Sequence, residues 1–231
     1  MGMRSASSIR PLVGACAPGH HGNPRAALLI RSKASKAMCG ARLKLRRETV
    51  VPSSSSSREP RRDFNYVLFG SDDCYVAPEQ SFDMVIGSNF KGAYFTIQKA
   101  LPLLRPGSSV VINASVGARK GWPTTSTVST CKAAVVHLAR ILSAELVGRG
   151  IRVNTLSPGP TDTAMFGRFA GEEQGDAVKG VLATNNPSKR MADPSEIAKL
   201  AVYLASDDSA YIVGADFLID GGVSAISPVG A

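Results

Sequence analysis

From Asp63 onward, short apolar runs rich in β-branched residues alternate with longer stretches of helical period, and this alternation constrains the fold more than any other feature of the chain. A strand followed by a helix long enough to carry the chain back predicts a parallel sheet covered by helices, the α/β class. Tyr66-Val67-Leu68-Phe69 reads as a strand, Phe82 to Leu104 as a helix closed by Pro106-Gly107, and Ser109 to Ala114 as a buried strand. A helix from Ser129 to Val147 follows, ending at Gly148 and Gly150 as helices prefer. Ile151 to Leu156 is the next strand, with Ser157-Pro158-Gly159-Pro160 as its exit turn. Asp193-Pro194-Ser195-Glu196 opens another helix, with Asp193 as cap, Pro194 in the first turn and Glu196 at the capping-box position. Phe217 to Asp220 forms a last strand, ended by Gly221-Gly222.

Charge divides the chain into two parts. Residues 1–62 hold 13 Lys+Arg against two acids, net +11, whereas residues 63–231 hold 14 against 16, net −2. The first part contains five consecutive serines, Ser53 to Ser57, and reads as a low-complexity segment. Ala26 to Met38 sets Leu28, Leu29 and Ile30 beside Arg31, Lys33 and Lys36, a basic amphipathic pattern found in organelle transit peptides. A transit peptide, a disordered basic arm and a misassigned coding start remain three open readings of residues 1–62. A nucleic-acid tether is disfavoured, because no aromatic residue stands there to stack on bases. No apolar run approaches the ~18 residues needed to span a bilayer. Cys16, Cys39, Cys74 and Cys131 form no Cys-x-x-Cys pair, and His20-His21 has no ligand partner at helical spacing, so no metal is assigned. Reduced thiols point to an intracellular setting, cytoplasmic by default and organellar if the first segment is a transit peptide.

From about Asp63 to Ile226 the chain resembles the C-terminal two-thirds of the short-chain dehydrogenase/reductase family. The resemblance rests on Ser88-Asn89-Phe90-Lys91-Gly92, Ile112-Asn113-Ala114-Ser115, Lys132-Ala133-Ala134, Gly150 to Asn154, Pro158 to Thr163 and Asp220-Gly221-Gly222, in that order and spacing. It implies a Rossmann-like, doubly wound parallel sheet, here expected to lack its first strands. It also implies NAD or NADP as cofactor and a small carbonyl or alcohol as substrate. By position it makes Ser115 the holder of the substrate oxygen, Lys132 the ribose-binding lysine and Asn89 the residue ordering a relay water. The turn containing Pro158, Gly159, Thr161 and Thr163 becomes the lip that grips the carboxamide. Read without the resemblance, Ser115 could satisfy a backbone group in its turn, Lys132 could be a solvated helix lysine, and Asn89 could bond to a neighbouring strand.

Two departures from the family pattern bear on activity. The proton-exchanging tyrosine belongs four residues before Lys132, where this chain has Val128, and none of Tyr66, Tyr75, Tyr94, Tyr203 and Tyr211 replaces it. An aliphatic side chain has no proton to give. The family's opening strand and Gly-rich phosphate turn have no counterpart either: Gly14, Gly19 and Gly22 have the wrong intervals, and Pro18 and Pro24 interrupt any helix there. The strand at Tyr66–Phe69 would then lie on an open sheet edge. Leu43-Lys44-Leu45 and Thr49-Val50-Val51 could fill the gap, but the serines and prolines that follow argue against a packed half-sheet.

The expectation is therefore an oxidoreductase scaffold with impaired catalysis, and the alternative is an inactive homologue serving as an oligomer partner. The apolar surface of the helices at Phe90–Leu104 and Ala133–Val147 suggests a homodimer or tetramer. The segment Ala164 to Asn186 corresponds to the family's specificity loop, and its small and acidic residues name no substrate.

Overall fold

The computed structural model describes residues 27–31, 48–52 and 77–226. Five strands form one wholly parallel sheet: β1 (Ala27–Arg31), β2 (Glu48–Pro52), β3 (Ser109–Asn113), β4 (Arg152–Pro158) and β5 (Asp216–Ile219), in the order β2-β1-β3-β4-β5. Helices cover both faces. On one side, α1 (Glu79–Ile86) leads through a π-helical turn (Gly87–Lys91) into α2 (Gly92–Ala100), and α3 (Ser126–Leu146) packs beside them. The short α4 (Met165–Ala170) and α5 (Glu172–Asn185) follow β4, and α6 (Pro194–Ala205) lies on the opposite face.

The strand alternation builds the two cores. Val110 and Ile112 of β3 point to one side, where they meet Ala93, Ile97, Val135, Leu138 and Leu142. Val111 points to the other, where with Leu156 it meets Ile197, Ala201 and Leu204 of α6. A parallel strand buried on both faces must be apolar throughout, which accounts for the unbroken Val110-Val111-Ile112 run.

Local chemistry sets the helix ends. Asp193 accepts the Ser195 amide at 2.7 Å while Glu196 accepts the Asp193 amide at 2.8 Å, completing the expected capping box. The chain leaves the α3 layer at Gly150, whose φ of 69° is the left-handed conformation that glycine adopts without penalty. The helix expected over Phe82–Leu104 runs without a break from Glu79 to Leu103 but is not uniform: the π turn widens it at Gly87–Lys91 and a 3-10 turn at Leu101–Leu103 ends it.

The strand expected at Tyr66–Phe69 and the segment Leu43-Lys44-Leu45 lie outside the described residues. Beyond β3 the sheet does not stop at an open edge: Leu28 pairs with Val110 and Leu28 also pairs with Thr49, so β1 and β2 come from the segment read as low-complexity. The expectation that Thr49-Val50-Val51 would stay unpacked is corrected accordingly. β3 has a second edge of backbone donors and acceptors to satisfy, and the four apolar residues Ala27 to Ile30 pair along it. Among the described residues, no helix is long and apolar enough to cross a membrane.

Candidate active site

The carboxyl ends of β3 and β4 carry the residues singled out above. Ser115 stands two residues beyond β3 and caps a 3-10 turn over Val116–Ala118, its hydroxyl oxygen accepting the Gly117 amide at 3.1 Å. A Cβ on Gly117 would come within 2.9 Å of the Ser129 hydroxyl and 3.6 Å of the Ser115 hydroxyl. Glycine therefore lets the serine turn lie directly against the start of α3.

On α3, Lys132 is buried and its Nζ donates to the Asn113 carbonyl at 3.3 Å, placing the ammonium under the end of β3. Burial holds its pKa down to about 8, with the adjacent Cys131 opposing the shift. Burial pushes the Cys131 thiol up to about 11, with Lys132 opposing. Asn89 sits in the π turn, and its Nδ2 donates to the Val85 carbonyl at 3.1 Å and to Ser88 Oγ at 3.0 Å. Cys131 Sγ also reaches that Val85 carbonyl, at 4.0 Å. The asparagine and the lysine-bearing turn of α3 thus share one anchor. Two buried side-chain acceptors, Asn89 Oδ1 and Asn113 Oδ1, have no hydrogen-bond partner among the described residues. Such orphaned atoms are rare in folded proteins and mark a place for water or ligand.

Val128 occupies the turn of α3 before Lys132 and packs against the buried pair Val85 and Cys131, as do Met84, Ile86 and Phe90. Among the described residues that wall is apolar, and the ionisable group in it is the Cys131 thiol, which burial keeps protonated to about 11. Of the described tyrosines, Tyr94 stacks edge-on against Phe95 at 5.3 Å, and Tyr203 and Tyr211 are exposed.

The Pro158 to Thr163 turn leaves β4 beside β5. Gly159 donates to the Ile219 carbonyl at 3.0 Å, and a Cβ there would lie 2.6 Å from Asp220 Cα, so only glycine fits this approach. Thr161 Oγ1 is used inside the turn, donating to the Gly159 carbonyl at 3.0 Å, and Thr163 is half-buried ahead of α4. Asp162 is paired with Lys179 of α5 at 2.8 Å. Ser115, Lys132 and Asn89 thus gather around α3, while the lip is fastened to the exit of β5. Both groups lie at the carboxyl ends of parallel strands, where open α/β sheets place their ligands.

Sequence reasoning missed Asn113 as a member of the site, although it lies inside a quoted motif, and it missed the Arg119–Asp216 ion pair at 2.8 Å. Asp216 stands immediately before the apolar run Phe217-Leu218-Ile219, and nothing local in the sequence names its partner.

A family model described as enoyl-(acyl carrier protein) reductase matches residues 70–224. The oxidoreductase asL5 of Sarocladium schorii is 38% identical over 146 residues, 62% of this chain and 57% of that protein. Dehydrogenase/reductase SDR family member 6 of Xenopus laevis is 38% identical over 151 residues, 63% of this chain and 61% of that protein. The matched stretch therefore spans little more than half the length of these relatives. A solved structure, a putative 2-deoxy-D-gluconate 3-dehydrogenase from Agrobacterium tumefaciens with bound NADP, superposes with a TM-score of 0.59 at 27% identity, covering 67% of this chain and 63% of that one.

Proposed function

The chain belongs to the short-chain dehydrogenase/reductase family, and from that premise we propose that it keeps the nicotinamide-side surface of an NAD(P)-dependent oxidoreductase while lacking the proton donor. The observation that carries this reading is Val128 packed against Val85 and Cys131 where the family places its tyrosine. When bound, NAD(P)H supplies hydride to a carbonyl carbon, or NAD(P)⁺ accepts it from an alcohol. The residues present suit the nicotinamide-ribose half: a buried lysine with spare donors, two unpartnered asparagine oxygens, and a lip whose glycine lets main chain come close. Lys132 donates toward the ribose hydroxyls, Ser115 Oγ toward the substrate oxygen, and the Pro158–Thr163 main chain and the Thr163 hydroxyl toward the carboxamide. With no phenol to exchange a proton, turnover falls by a factor of ~10²–10⁴ relative to an intact site.

The test is calorimetric titration of NADH and NADPH into the whole chain, together with turnover of a panel of small carbonyl compounds by wild type and Val128→Tyr. The expected result is saturable binding by both proteins and turnover that is at least ~10²-fold higher in the variant. A folded, monodisperse chain that binds neither nucleotide, or a wild type that turns over as fast as Val128→Tyr, overturns the proposal.

A second reading, an inactive subunit that assembles with copies of itself or a relative, draws on the outer surface of α1 to α3. Phe82, Tyr94, Phe95 and Ile141 are 40–48% exposed there, large apolar side chains of the kind a second subunit covers. Sedimentation of the purified chain separates this reading from a monomer.

A further inference from the structure

We propose that Arg119 and Asp216 are positioning residues that hold the Ser115 turn in register with the lip, using β5 as a shared template. The inference rests on Ser115 as the oxygen-holding residue of the proposed site. Asp216 opens β5 with its side chain 1% exposed, yet it carries a carboxylate. Three donors are aimed at it: Thr155 Oγ1 and Ser157 Oγ, each 2.7 Å from Oδ1, and Arg119 Nε, 2.8 Å from Oδ2. A second guanidinium nitrogen of Arg119 reaches the Asp216 carbonyl at 3.4 Å. A carboxylate this buried is tolerated only when it is paired and hydrogen-bonded, so the donors cannot leave without cost.

The arrangement reaches across the sheet. Thr155 and Ser157 belong to β4, next to β5, whereas Arg119 follows the Ser115 turn at the end of β3 and must pass over β4 to reach Asp216. The next residue repeats the attachment: Lys120 Nζ donates to the Val223 carbonyl at 2.7 Å and lies 5.2 Å from the centre of the Trp122 ring. The lip is fastened to the same element, through Gly159 to the Ile219 carbonyl, and the end of α5 joins it through Asn186 Nδ2 to the Asp220 carbonyl at 3.0 Å. Two loops from two different strands therefore take their relative position from β5 and its exit turn. Of these fastenings only the Arg119–Asp216 bond is an ion pair with a buried carboxylate, which gives it a direction as well as an attraction.

The experiment has two arms on the full chain. In the first, amide hydrogen exchange is followed by mass spectrometry over residues 115–120 and 194–205 in wild type, Arg119→Met, Arg119→Lys and the double variant Arg119→Met/Asp216→Asn, which removes both charges together. The expected result is at least tenfold faster exchange over 115–120 in the Met variants, no change over 194–205, and partial recovery in Arg119→Lys, whose single ammonium reaches one carboxylate oxygen. Unchanged exchange over 115–120 overturns the proposal, as does an equal loss of protection over both segments, which would mean general unfolding. In the second arm the same substitutions are placed in the Val128→Tyr background. There kcat falls at least tenfold while the KM for NADH stays within twofold, and Arg119→Lys recovers part of kcat. A fall confined to KM, or no fall at all, also overturns it. If Val128→Tyr itself shows no turnover, the proposed function fails and the exchange arm still decides the positioning role.

Discussion

The Lys132 ammonium and the Asn113 carbonyl oxygen lie 3.3 Å apart beneath the end of β3, and the contact ties a titrating group to the backbone that leads into Ser115. Burial is the main influence on this lysine and on its neighbour Cys131, and it moves them in opposite directions, since it disfavours whichever form is charged.

Stability should accordingly change in a particular way at alkaline pH. Lys132 loses its proton at about 8 in the folded protein and at its ordinary 10.5 when unfolded, so the unfolded chain binds more protons between those values and stability rises with pH across that window. Below pH 8 the penalty of burying the ammonium is fully present. Cys131 keeps its proton to about 11 when folded and loses it at 9.0 when unfolded, so its contribution falls with pH between those values. The two oppose each other above pH 9. The expected curve rises by about 1.4 kcal/mol per pH unit between 8 and 9 and then levels off. Denaturant titrations from pH 7 to 11 check it: Cys131→Ala should extend the rise to about 10.5, and Lys132→Met should abolish it and leave only the fall. A wild-type curve flat through pH 8 to 9 contradicts the buried ammonium.

Two glycines should respond oppositely to alanine. At Gly159 the added Cβ meets Asp220 Cα at 2.6 Å and Asp220 Cβ at 2.7 Å, contacts with a backbone that cannot swing aside. Gly159→Ala is expected to cost roughly 1–3 kcal/mol by forcing the lip off the exit of β5, and to weaken nucleotide binding with it. Gly180 lies within α5, where nothing stands within 4 Å of the added carbon. Gly180→Ala should stabilise by roughly 0.5–1 kcal/mol through helix propensity alone. Urea midpoints of the two variants, measured side by side, test both signs.

The features legible in the sequence were those fixed by local chemistry or by fixed spacing. Asp193 and Glu196 announce a capping box because both bonds lie within one turn, and Val128 falls one turn before Lys132 because helical spacing leaves no other place for it. Ser115 could be placed at the end of β3 because the apolar run Val110 to Ile112 stops there. The π turn at Gly87–Lys91 was not legible, since widening a helix by one residue leaves no change in residue type to read. β1 and β2 were obscured for another reason: a five-residue run surrounded by basic residues looks the same whether or not it finds an edge, and its partner β3 lies some 80 residues away. The Arg119–Asp216 pair joins residues 97 apart in the chain, and no local pattern anticipates such a contact.

Arg152 gives the last prediction. It opens β4, is buried, and turns its guanidinium toward the end of α6: Nη2 donates to the Ser206 carbonyl at 3.0 Å, and Nη1 to the Leu204 carbonyl at 3.3 Å and to Ser209 Oγ at 3.1 Å. The last carbonyls of a helix carry partial negative charge, so a cation there is favoured by the dipole as well as by the individual bonds. The acceptors are not left orphaned when Arg152 is replaced, because Ser109 Oγ still donates to Leu204 O at 2.8 Å and Ser209 Oγ to Ser206 O at 3.0 Å. Arg152→Met removes charge-assisted bonds and a packed stem and should lower stability by roughly 2 kcal/mol. Arg152→Lys should recover little of it, since a single ammonium cannot match a planar fork that serves several acceptors, and it keeps the burial cost of the charge. Guanidinium denaturation that gives a lower midpoint with an unchanged slope for both variants supports this account, and a lysine variant as stable as wild type refutes it.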